Sequence, residues 1–483
     1  MKRILLIGGA LLAIGASTPT ALPIAQPMTA NDRAAGAKAH PQLVAEFGGL
    51  YDGPQAAYVT RVGQKIALQS GLADTQSAFT VSLLNSSVNN AFAIPGGYVY
   101  VTRELLALMN DEAELASVLG HEVGHVAARH AQQRSNAATK GTLGTLLGTV
   151  LGAVIAGNDG ARLGQQLAGS LAQRYVLKYS RSQEYQADDL GVSYLGKAGY
   201  DPMASSTILA SLAAQTSLDA QLMGKGGKEL PEWASTHPDP ASRVTRAAQK
   251  ASVTPATGKA RNRDAFLAAI NGVLYDDDPH QGIIDGRSFK HPDLKLAFIA
   301  PAGFAMANTP QAVVVSSAAG QAQFTSAVYN GDLKGYVDSV FRAVGGQTTL
   351  NYGSINTRQL NGINAAYASA SANTQSGPVI VTVYAYEVSA NSAFHFVAIT
   401  PVGSQGVFDT MFESFRRLTN GEAAAIKPKK VNVVTVKRGD TVASLAAGMA
   451  YSDYKVERFQ VLNAITGNAV VKPGQKVKII VPG

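Results

Sequence analysis

The spacing of hydrophobic residues predicts a buried helix in the first third of the chain. Leu115, Val118, Leu119 and Val126 recur at helical spacing. Asn110 is a suitable N-cap in front of them, and the acidic residues that follow it favour a helix N-terminus. The surrounding segment, up to about residue 255, is helix-rich with one short strand signal.

A different pattern begins near residue 280. Apolar and polar residues alternate in runs such as 379–388 and 393–399, which is typical of half-buried strands. Polar linkers at 251–263 and 420–430 bound this region. The sequence therefore predicts an α+β multidomain protein, with a signal peptide at 1–30, a mostly helical domain with a small β-hairpin or sheet at 31–255, an accessory α/β domain at 264–420 and a small βααβ module at 431–483.

The N-terminal segment has the features of an export signal. Two basic residues precede the uncharged run Ile4–Ala16, which is too short to span a bilayer well. Small residues offer cleavage sites after Ala16, Ala21 or Ala30, and an uncleaved anchor is the alternative. In either case the segment predicts export to a bacterial periplasm.

Composition and charge narrow the chemistry. The chain of 483 residues has no cysteine, which excludes a disulfide scaffold, a cysteine nucleophile and a Cys-ligated metal. The net charge of +8 is concentrated at the C-terminus, since residues 427–483 carry 10 Lys and Arg against 3 Asp and Glu, a net charge of +7. This basic tail predicts contact with an anionic envelope polymer, and a solvated basic face is the alternative.

The strongest chemical signal is the sequence H-E-V-G-H at 121–125. On a helix, His121 and His125 lie on one face about one turn apart, so both imidazoles can reach one tetrahedral zinc ion at about 2.0–2.1 Å. Glu122 can take a proton from the attacking water and return it to the leaving amine. His130 is interpreted as structural, and the alternative for the whole motif is a chance match on a surface helix.

A second motif, E-Y-Q-A-D at 184–188, offers a third ligand. Glu184 and Asp188 are four residues apart and share one face of a predicted helix. Glu184 can bind the metal, and Asp188 can accept a hydrogen bond from a ligand histidine and so fix its tautomer. A solvated acidic helix face is the alternative.

Together these motifs resemble the gluzincin metallopeptidases of the CAAX-prenyl-endopeptidase and Oma-like family, which includes bacterial periplasmic β-barrel assembly-enhancing proteases. The segments N-A-F-A-I-P-G-G at 90–97 and S-T-H-P at 235–238 match further motifs of that family. The resemblance covers about residues 40–250 and implies a zincin-type fold and endopeptidase activity. The implied cofactor is one Zn²⁺ per subunit, and the implied site consists of the ligands His121, His125 and Glu184 with Glu122 as general base.

Other residues of these motifs have expected roles that leave alternatives open. The strand 98–102 could pair, as an edge strand, with an extended substrate, or could belong to a core hairpin. His237 could reach the zinc or the tetrahedral intermediate, or could only begin a helix. Arg243 could pair with Asp188 or a zinc-site carboxylate, or could face solvent. The expected catalytic group is therefore Glu122, Asp188 and His237, and the expected substrate-binding residues are Asn90, Ala91, Phe92, Ala93 and Arg243.

The segment 141–158 has 18 consecutive residues without a charge and a glycine every few positions. We interpret it as a mobile apolar lid that could touch a membrane surface or an unfolded substrate. A transmembrane span and a buried hairpin are the alternatives.

The C-terminal 50 residues resemble a LysM domain, with strand, turn and helix signals at 434–446, a helix end at 459–463 and a strand at 471–479. That resemblance implies binding of the N-acetylglucosamine backbone of peptidoglycan, while a structural or protein-docking role stays open. The region before it, from Phe298 to Phe304 onward, loosely resembles sandwiches of the photosystem-extrinsic type and is interpreted as a non-catalytic accessory domain.

The sequence thus favours an exported zinc endopeptidase that hydrolyses misfolded or unassembled envelope proteins. An envelope-anchored, chaperone-like binding protein with a latent peptidase domain is the alternative, and a peptidoglycan hydrolase is a third possibility. Nucleic acid is not an expected partner.

Overall fold

The computed structural model describes residues 28–72, 78–133, 179–222, 237, 240–346, 348–374, 377–467 and 469–483. The predicted signal peptide lies outside these residues except for its last three positions, and the charge-free segment 141–158 lies outside them entirely. Among the described residues, no helix combines the length and the hydropathy that crossing a bilayer requires.

The N-terminal part is built from helices around a small sheet. Its helices are α1 (Ala30–Glu46), α2 (Pro54–Ala67), α3 (Arg103–Leu108), α4 (Glu112–Ala127), α5 (Arg181–Lys197), α6 (Ala204–Leu222), α7 (Pro240–Val253) and α8 (Arg263–Ile270). Its sheet contains β1 (Thr80–Leu84), β2 (Ala91–Ile94) and β3 (Tyr98–Thr102). β3 lies in the middle, parallel to β1 and antiparallel to β2.

Helix α4 is the centre of this domain. Among its residues only Val126 is partly exposed, as expected of a helix that other elements surround. The N-cap is Asp111 rather than the predicted Asn110: the Asp111 carboxylate accepts a hydrogen bond from the Glu114 amide at 3.0 Å. The backbone N–H of Asn110 instead donates to the Glu114 carboxylate at 2.7 Å, so the helix begins one residue later than predicted.

Glycines let α5 pack closely against α4. A Cβ added at Gly124 would lie 3.1 Å from the Ala187 carbonyl oxygen, and one added at Gly191 would lie 3.1 Å from the His121 amide nitrogen. Real Cβ atoms are rarely so close to backbone atoms, so larger residues would push the two helices apart. This contact sets the distance between the His121 motif on α4 and the Glu184 motif on α5.

Helix α8 extends this domain past the predicted linker. Residues 264–270 fall within the range predicted for the accessory domain, but Phe266, Leu267 and Ile270 are fully buried in the same hydrophobic core as α2 and α4. The chain therefore completes the first core before it enters the strand-rich region.

The strand-rich region contains two antiparallel sheets. The larger has the order β11-β12-β13-β14-β10-β9-β8 and the smaller the order β15-β7-β6-β5. The alternating runs predicted at 379–388 and 393–399 lie in two long neighbouring strands. The elements are β5 (Ile283–Asp285), β6 (Ser288–His291), β7 (Leu296–Ile299), β8 (Ala305–Asn308), β9 (Val313–Ser317), β10 (Gly320–Ser326), α9 (Leu333–Gly345), β11 (Asn356–Leu360), β12 (Ile363–Thr374), β13 (Gly377–Ser389), β14 (Ser392–Pro401), α10 (Asp409–Ser414), β15 (Arg416–Arg417) and the linker helix α11 (Asn420–Ala425).

The C-terminal module has the predicted βααβ order. It consists of β16 (Lys429–Thr435), α12 (Val442–Ala447), α13 (Lys455–Leu462) and β17 (Lys476–Pro482). The short strand β4 (Leu274–Tyr275) pairs with β16 and completes a sheet of order β17-β16-β4. Because β4 directly follows α8, the module is joined to the first domain through a shared sheet. The elements together confirm the α+β multidomain fold class that was predicted from the sequence.

Candidate metal centre

Three predicted ligands converge in the core of the first domain. The Nε2 atoms of His121 and His125 are 3.0 Å apart. The carboxylate of Glu184 lies 3.5 Å from the first of these atoms and 3.6 Å from the second. All three side chains are almost fully buried.

These distances fit one tetrahedral ion. Ligand atoms about 2.0–2.1 Å from a tetrahedral zinc are about 3.3 Å from one another, which lies between the distances found here. Among the described residues, neither carboxylate oxygen of Glu184 takes part in a hydrogen bond, although both are buried and the Nη1 atom of Arg243 lies 2.8 Å from one of them. Buried carboxylates normally accept hydrogen bonds, so these oxygens are suited to a positively charged ligand.

His237 joins the same group. Ligand atoms of His121, His125, Glu184 and His237 all lie within 4.8 Å of one another. The Nε2 atom of His237 is also 3.4 Å from a carboxylate oxygen of Glu122, whose side chain is fully buried. The structure thus brings the expected base, the three expected ligands and His237 together at one point.

A buried ion network orients His121. Its Nδ1 atom is 2.9 Å from the Asp188 carboxylate, which leaves Nε2 directed at the other ligands. Arg243 donates to both oxygens of Asp188, at 2.8 and 2.7 Å, and its third nitrogen lies 2.8 Å from Glu184. Arg243 is only 1% exposed, so its guanidinium faces these carboxylates rather than solvent.

The network also sets the charges of the metal-free site. Burial disfavours ionisation of Asp188, but Arg243 and His121 outweigh it and hold the pKa of Asp188 well below its usual range. Burial likewise opposes charge on His121, yet its hydrogen bond with Asp188 and the negative charges of Asp188 and Glu184 raise its pKa to about 9. Burial and the neighbouring histidines lower the pKa of His125. Ligand histidines must be deprotonated to bind a metal ion, so metal binding at this cluster depends on pH.

A separate pair of residues orients His125. The Nδ1 atom of His125 is 2.8 Å from Nδ1 of His130, whose Nε2 atom is 2.8 Å from the side-chain oxygen of Gln186. Helix α4 ends at Ala127, and Arg129 adopts a left-handed φ of 54°, which turns the chain so that His130 comes back to His125. This contact could not be predicted from the sequence, because residues five apart do not share a face of a continuous helix.

The strand β2 lies at an edge of the small sheet and β3 does not, and all residues of β2 are buried. The strand Tyr98–Thr102, predicted as a possible edge strand, is hydrogen-bonded on both sides, so that alternative is wrong. β2 pairs only with β3 among the described strands. The expected substrate-binding residues Ala91, Phe92 and Ala93 lie on it, and Asn90 directly precedes it. An edge strand presents unpaired N–H and C=O groups to which an extended chain can add.

Comparison with known proteins agrees with this geometry. Residues 54–251 match Peptidase family M48, and residues 434–479 match the LysM domain. The beta-barrel assembly-enhancing protease of Yersinia pestis is 31% identical over 227 residues, which are 46% of this chain and 44% of that protein. The mitochondrial metalloendopeptidase OMA1 of Schizosaccharomyces pombe is 29% identical over 198 residues, which are 40% of this chain and 52% of that protein.

A human relative is also similar. The mitochondrial metalloendopeptidase OMA1 of Homo sapiens is 31% identical over 172 residues, which are 35% of this chain and 32% of that protein. The chain thus spans about half, or less, of the length of these relatives. The converging ligands all lie within the first matched range, so the site belongs to the part of the chain that matches Peptidase family M48, and a segment that matches the LysM domain follows it.

Proposed function

We propose that the protein is a zinc-dependent endopeptidase that hydrolyses peptide bonds of misfolded or unassembled envelope proteins. The observation that carries this proposal is the convergence of three ligand side chains, whose distances suit one tetrahedral ion, beside a fully buried glutamate. Zinc is the metal that this donor set of two imidazoles and one carboxylate favours in peptidases.

Each residue of the site has a defined task. His121, His125 and Glu184 would hold the zinc ion, which when bound polarises the scissile carbonyl and lowers the pKa of a water molecule. Glu122 accepts the proton of the attacking water and delivers it to the leaving nitrogen. Asp188 and Arg243 keep His121 in the tautomer that presents Nε2, and His130 does the same for His125.

The sheet and His237 complete the arrangement. The free edge of β2 holds the substrate extended by backbone hydrogen bonds, so binding depends little on side-chain identity and requires an unfolded segment. His237, 3.4 Å from Glu122, is placed to donate a hydrogen bond to the oxygen that becomes negative during the attack.

The LysM domain suggests where the enzyme acts. We propose that it binds the glycan of peptidoglycan and so keeps the peptidase in the periplasm, where the basic tail also meets anionic envelope polymers. The name of the Yersinia pestis relative, a beta-barrel assembly-enhancing protease, supports substrates among envelope proteins. Contact of the segment 141–158 with a membrane stays a prediction.

The test uses the mature full-length protein loaded with zinc and an unfolded casein. Wild type should cleave casein. Glu122→Gln should bind the same amount of zinc, but its cleavage rate should be lower by about 10²–10⁴-fold. Glu457→Gln, the same change at an exposed position of the LysM domain, should behave as wild type.

Three outcomes would contradict the proposal. Glu122→Gln could retain cleavage, which would remove Glu122 from the reaction. Wild type could leave casein intact while Glu122→Gln preserves biological activity, which would favour the chaperone-like binding protein. Purified sacculi could be degraded in the absence of any protein substrate, which would favour a glycan or cross-link hydrolase.

A further inference from the structure

Helix α5 reaches the ligand His125 through a chain of two hydrogen bonds. The side-chain oxygen of Gln186, on α5, lies 2.8 Å from Nε2 of His130. The Nδ1 atom of His130 is in turn 2.8 Å from Nδ1 of His125, whose Nε2 atom belongs to the metal-ligand cluster. The chain therefore connects a neutral side chain of α5 to the far side of a metal ligand.

The direction of this chain is set from both ends. A metal ion at Nε2 of His125 requires the lone pair of that nitrogen, so the proton of the neutral ring lies on Nδ1 and is donated to His130. His130 then accepts at Nδ1 and carries its own proton on Nε2, which needs an acceptor. The carbonyl oxygen of Gln186 can only accept, so the two ends of the chain require the same tautomers.

The reversed chain would disable the ligand. With a donor in place of the Gln186 oxygen, Nε2 of His130 would accept and its Nδ1 would carry the proton. His125 would then accept at Nδ1 and hold its own proton on Nε2, the atom that has to bind the metal ion. The group at position 186 therefore decides which nitrogen of His125 is available.

Burial and stacking leave the chain of hydrogen bonds in control of this ring. His130 is fully buried and His125 almost so, which keeps water from replacing their bonds. The ring of Tyr179 stacks on the imidazole of His125, with centroids 4.0 Å apart and an angle of 18° between the planes. Tyr179 directly precedes Ser180, the N-cap of α5, so the start of that helix fixes its position. With the plane of the ring held by stacking, the hydrogen bonds select the nitrogen that carries the proton.

We propose that Gln186 is a positioning residue of the metal centre, which acts through His130 to keep the Nε2 lone pair of His125 free for the metal ion. The inference rests on the proposed metallopeptidase function and adds to it a residue outside the ligand set. The other ligand histidine, His121, has the charged Asp188 as its acceptor. Gln186 thus orients its ligand without adding a negative charge to the cluster.

The zinc affinity of the full-length protein, measured by competition with a chelator, gives the size of the effect. Gln186→Met removes the acceptor at similar side-chain length and should weaken zinc binding by about 10–100-fold. Gln186→Glu keeps an oxygen acceptor and should bind zinc at least as tightly as wild type. Gln215→Met, the same change at a partly buried glutamine of α6 whose side chain donates to Asp219 at 2.7 Å, should keep the wild-type affinity.

Nitrogen NMR of histidine-labelled, zinc-free protein shows where the protons lie. At a pH above the usual histidine pKa, the signals of His125, identified by their loss in His125→Ala, should show the proton on Nδ1. Gln186→Met should give a mixture of both tautomers, and Gln186→Glu should give the wild-type pattern. A merely structural role of Gln186 would lower the free energy of unfolding without moving the proton between the two nitrogens.

These measurements separate failure of the positioning role from failure of the peptidase proposal. If wild type binds zinc but cleaves no protein, the peptidase proposal falls, while the affinities and the NMR signals still decide the role of Gln186. Equal zinc affinities of wild type and Gln186→Met, or a proton on Nε2 of His125 in the zinc-free wild type, would overturn the positioning role. An affinity of Gln186→Glu as low as that of Gln186→Met would overturn it as well. A wild type that binds no zinc would overturn both proposals.

Discussion

The metal centre and the interface between the peptidase and LysM domains both bury polar side chains. The hydrogen bonds of the buried group are complete at the interface and incomplete at the metal centre. Lys478 of β17 is fully buried, and its ammonium group donates to the carbonyl oxygens of Ala107, Leu108 and Met109 at 2.7, 3.2 and 2.6 Å. Three donors thus meet three acceptors at the C-terminal end of α3. At the metal centre, the oxygens of Glu122 and Glu184 take part in no hydrogen bond among the described residues.

The difference separates a structural site from a functional one. A buried polar group that stabilises a fold has its hydrogen bonds complete, because each missing bond costs about 1–3 kcal/mol. Two incompletely bonded carboxylates beside a pair of buried histidines indicate that a metal ion supplies the missing interactions. Substitutions at the interface and in the ion network should therefore lower the free energy of unfolding. Substitutions in the ligand cluster should chiefly change metal binding or activity.

The largest effect on stability should come from Arg243, which pairs with the buried carboxylates of Asp188 and Glu184. Arg243→Met leaves the buried Asp188 and Glu184 charges without their cation and should lower the free energy of unfolding of the zinc-free protein by about 3–5 kcal/mol. Denaturant titration measures this. Arg246→Met, on the same helix, breaks a partly exposed pair with Asp189 and should cost about 1 kcal/mol or less. Equal losses for the two variants would contradict the buried-network interpretation.

Lys478→Met should lower the free energy of unfolding by about 1–3 kcal/mol, since three helix-end carbonyls lose their donor. The loss should be the same with and without zinc, because Lys478 donates hydrogen bonds at the domain interface and has no contact with the metal site. Lys476→Met, two residues earlier on β17 and more exposed, is the matched control. A loss that disappears on zinc binding would show that the interface and the metal centre are coupled.

His395 offers a buried histidine with no metal-site role for comparison. Burial lowers its pKa from 6.5 to about 4, and its Nδ1 atom lies 2.8 Å from the hydroxyl of Tyr336. As the pH falls below 6.5, His395 binds a proton in the unfolded chain but not yet in the folded protein. The free energy of unfolding therefore decreases between pH 6.5 and pH 4. Between pH 8 and pH 5, wild type should lose about 2 kcal/mol more than His395→Asn in denaturant titrations. The same loss in both proteins would exclude His395 as the cause.

The smallest effect should come from Glu122→Gln in the zinc-free protein. The carboxylate is buried without a hydrogen bond from the described residues, so removing its charge should leave the free energy of unfolding unchanged or slightly increased, within about 1 kcal/mol. Thermal and denaturant unfolding of the two zinc-free proteins provide the measurement. A loss of 2 kcal/mol or more would mean that Glu122 is a structural residue.

The comparison also shows how far the sequence determines the site. His121, His125 and Glu184 could be predicted because two helical motifs with i, i+4 spacing fix which side chains share a face. The contact of His130 with His125 could not, because it depends on the left-handed turn at Arg129. The edge of the small sheet was misjudged because strand order is decided by long-range pairing of β1 with β3, which local alternation does not report.

The same limit applies between the domains. The βααβ order of the LysM domain follows from local signals, and it is confirmed. The contact of Lys478 with α3 could not be predicted, because the two lie about 370 positions apart in the sequence. In addition, a lysine in a strand that alternates apolar and polar residues is normally expected to face solvent. Lys478 belongs to the basic tail that was expected to contact an envelope polymer, but it is buried inside the molecule.

The central claim is that the incompletely bonded cluster around His121 is a zinc site, and X-ray absorption at the zinc edge of the purified full-length protein tests it most directly. The account predicts one zinc per chain with nitrogen and oxygen ligands at about 2.0–2.1 Å, and loss of this signal in His125→Ala. A wild-type protein that binds no zinc, or a His125→Ala variant that binds it with an unchanged spectrum, would contradict it.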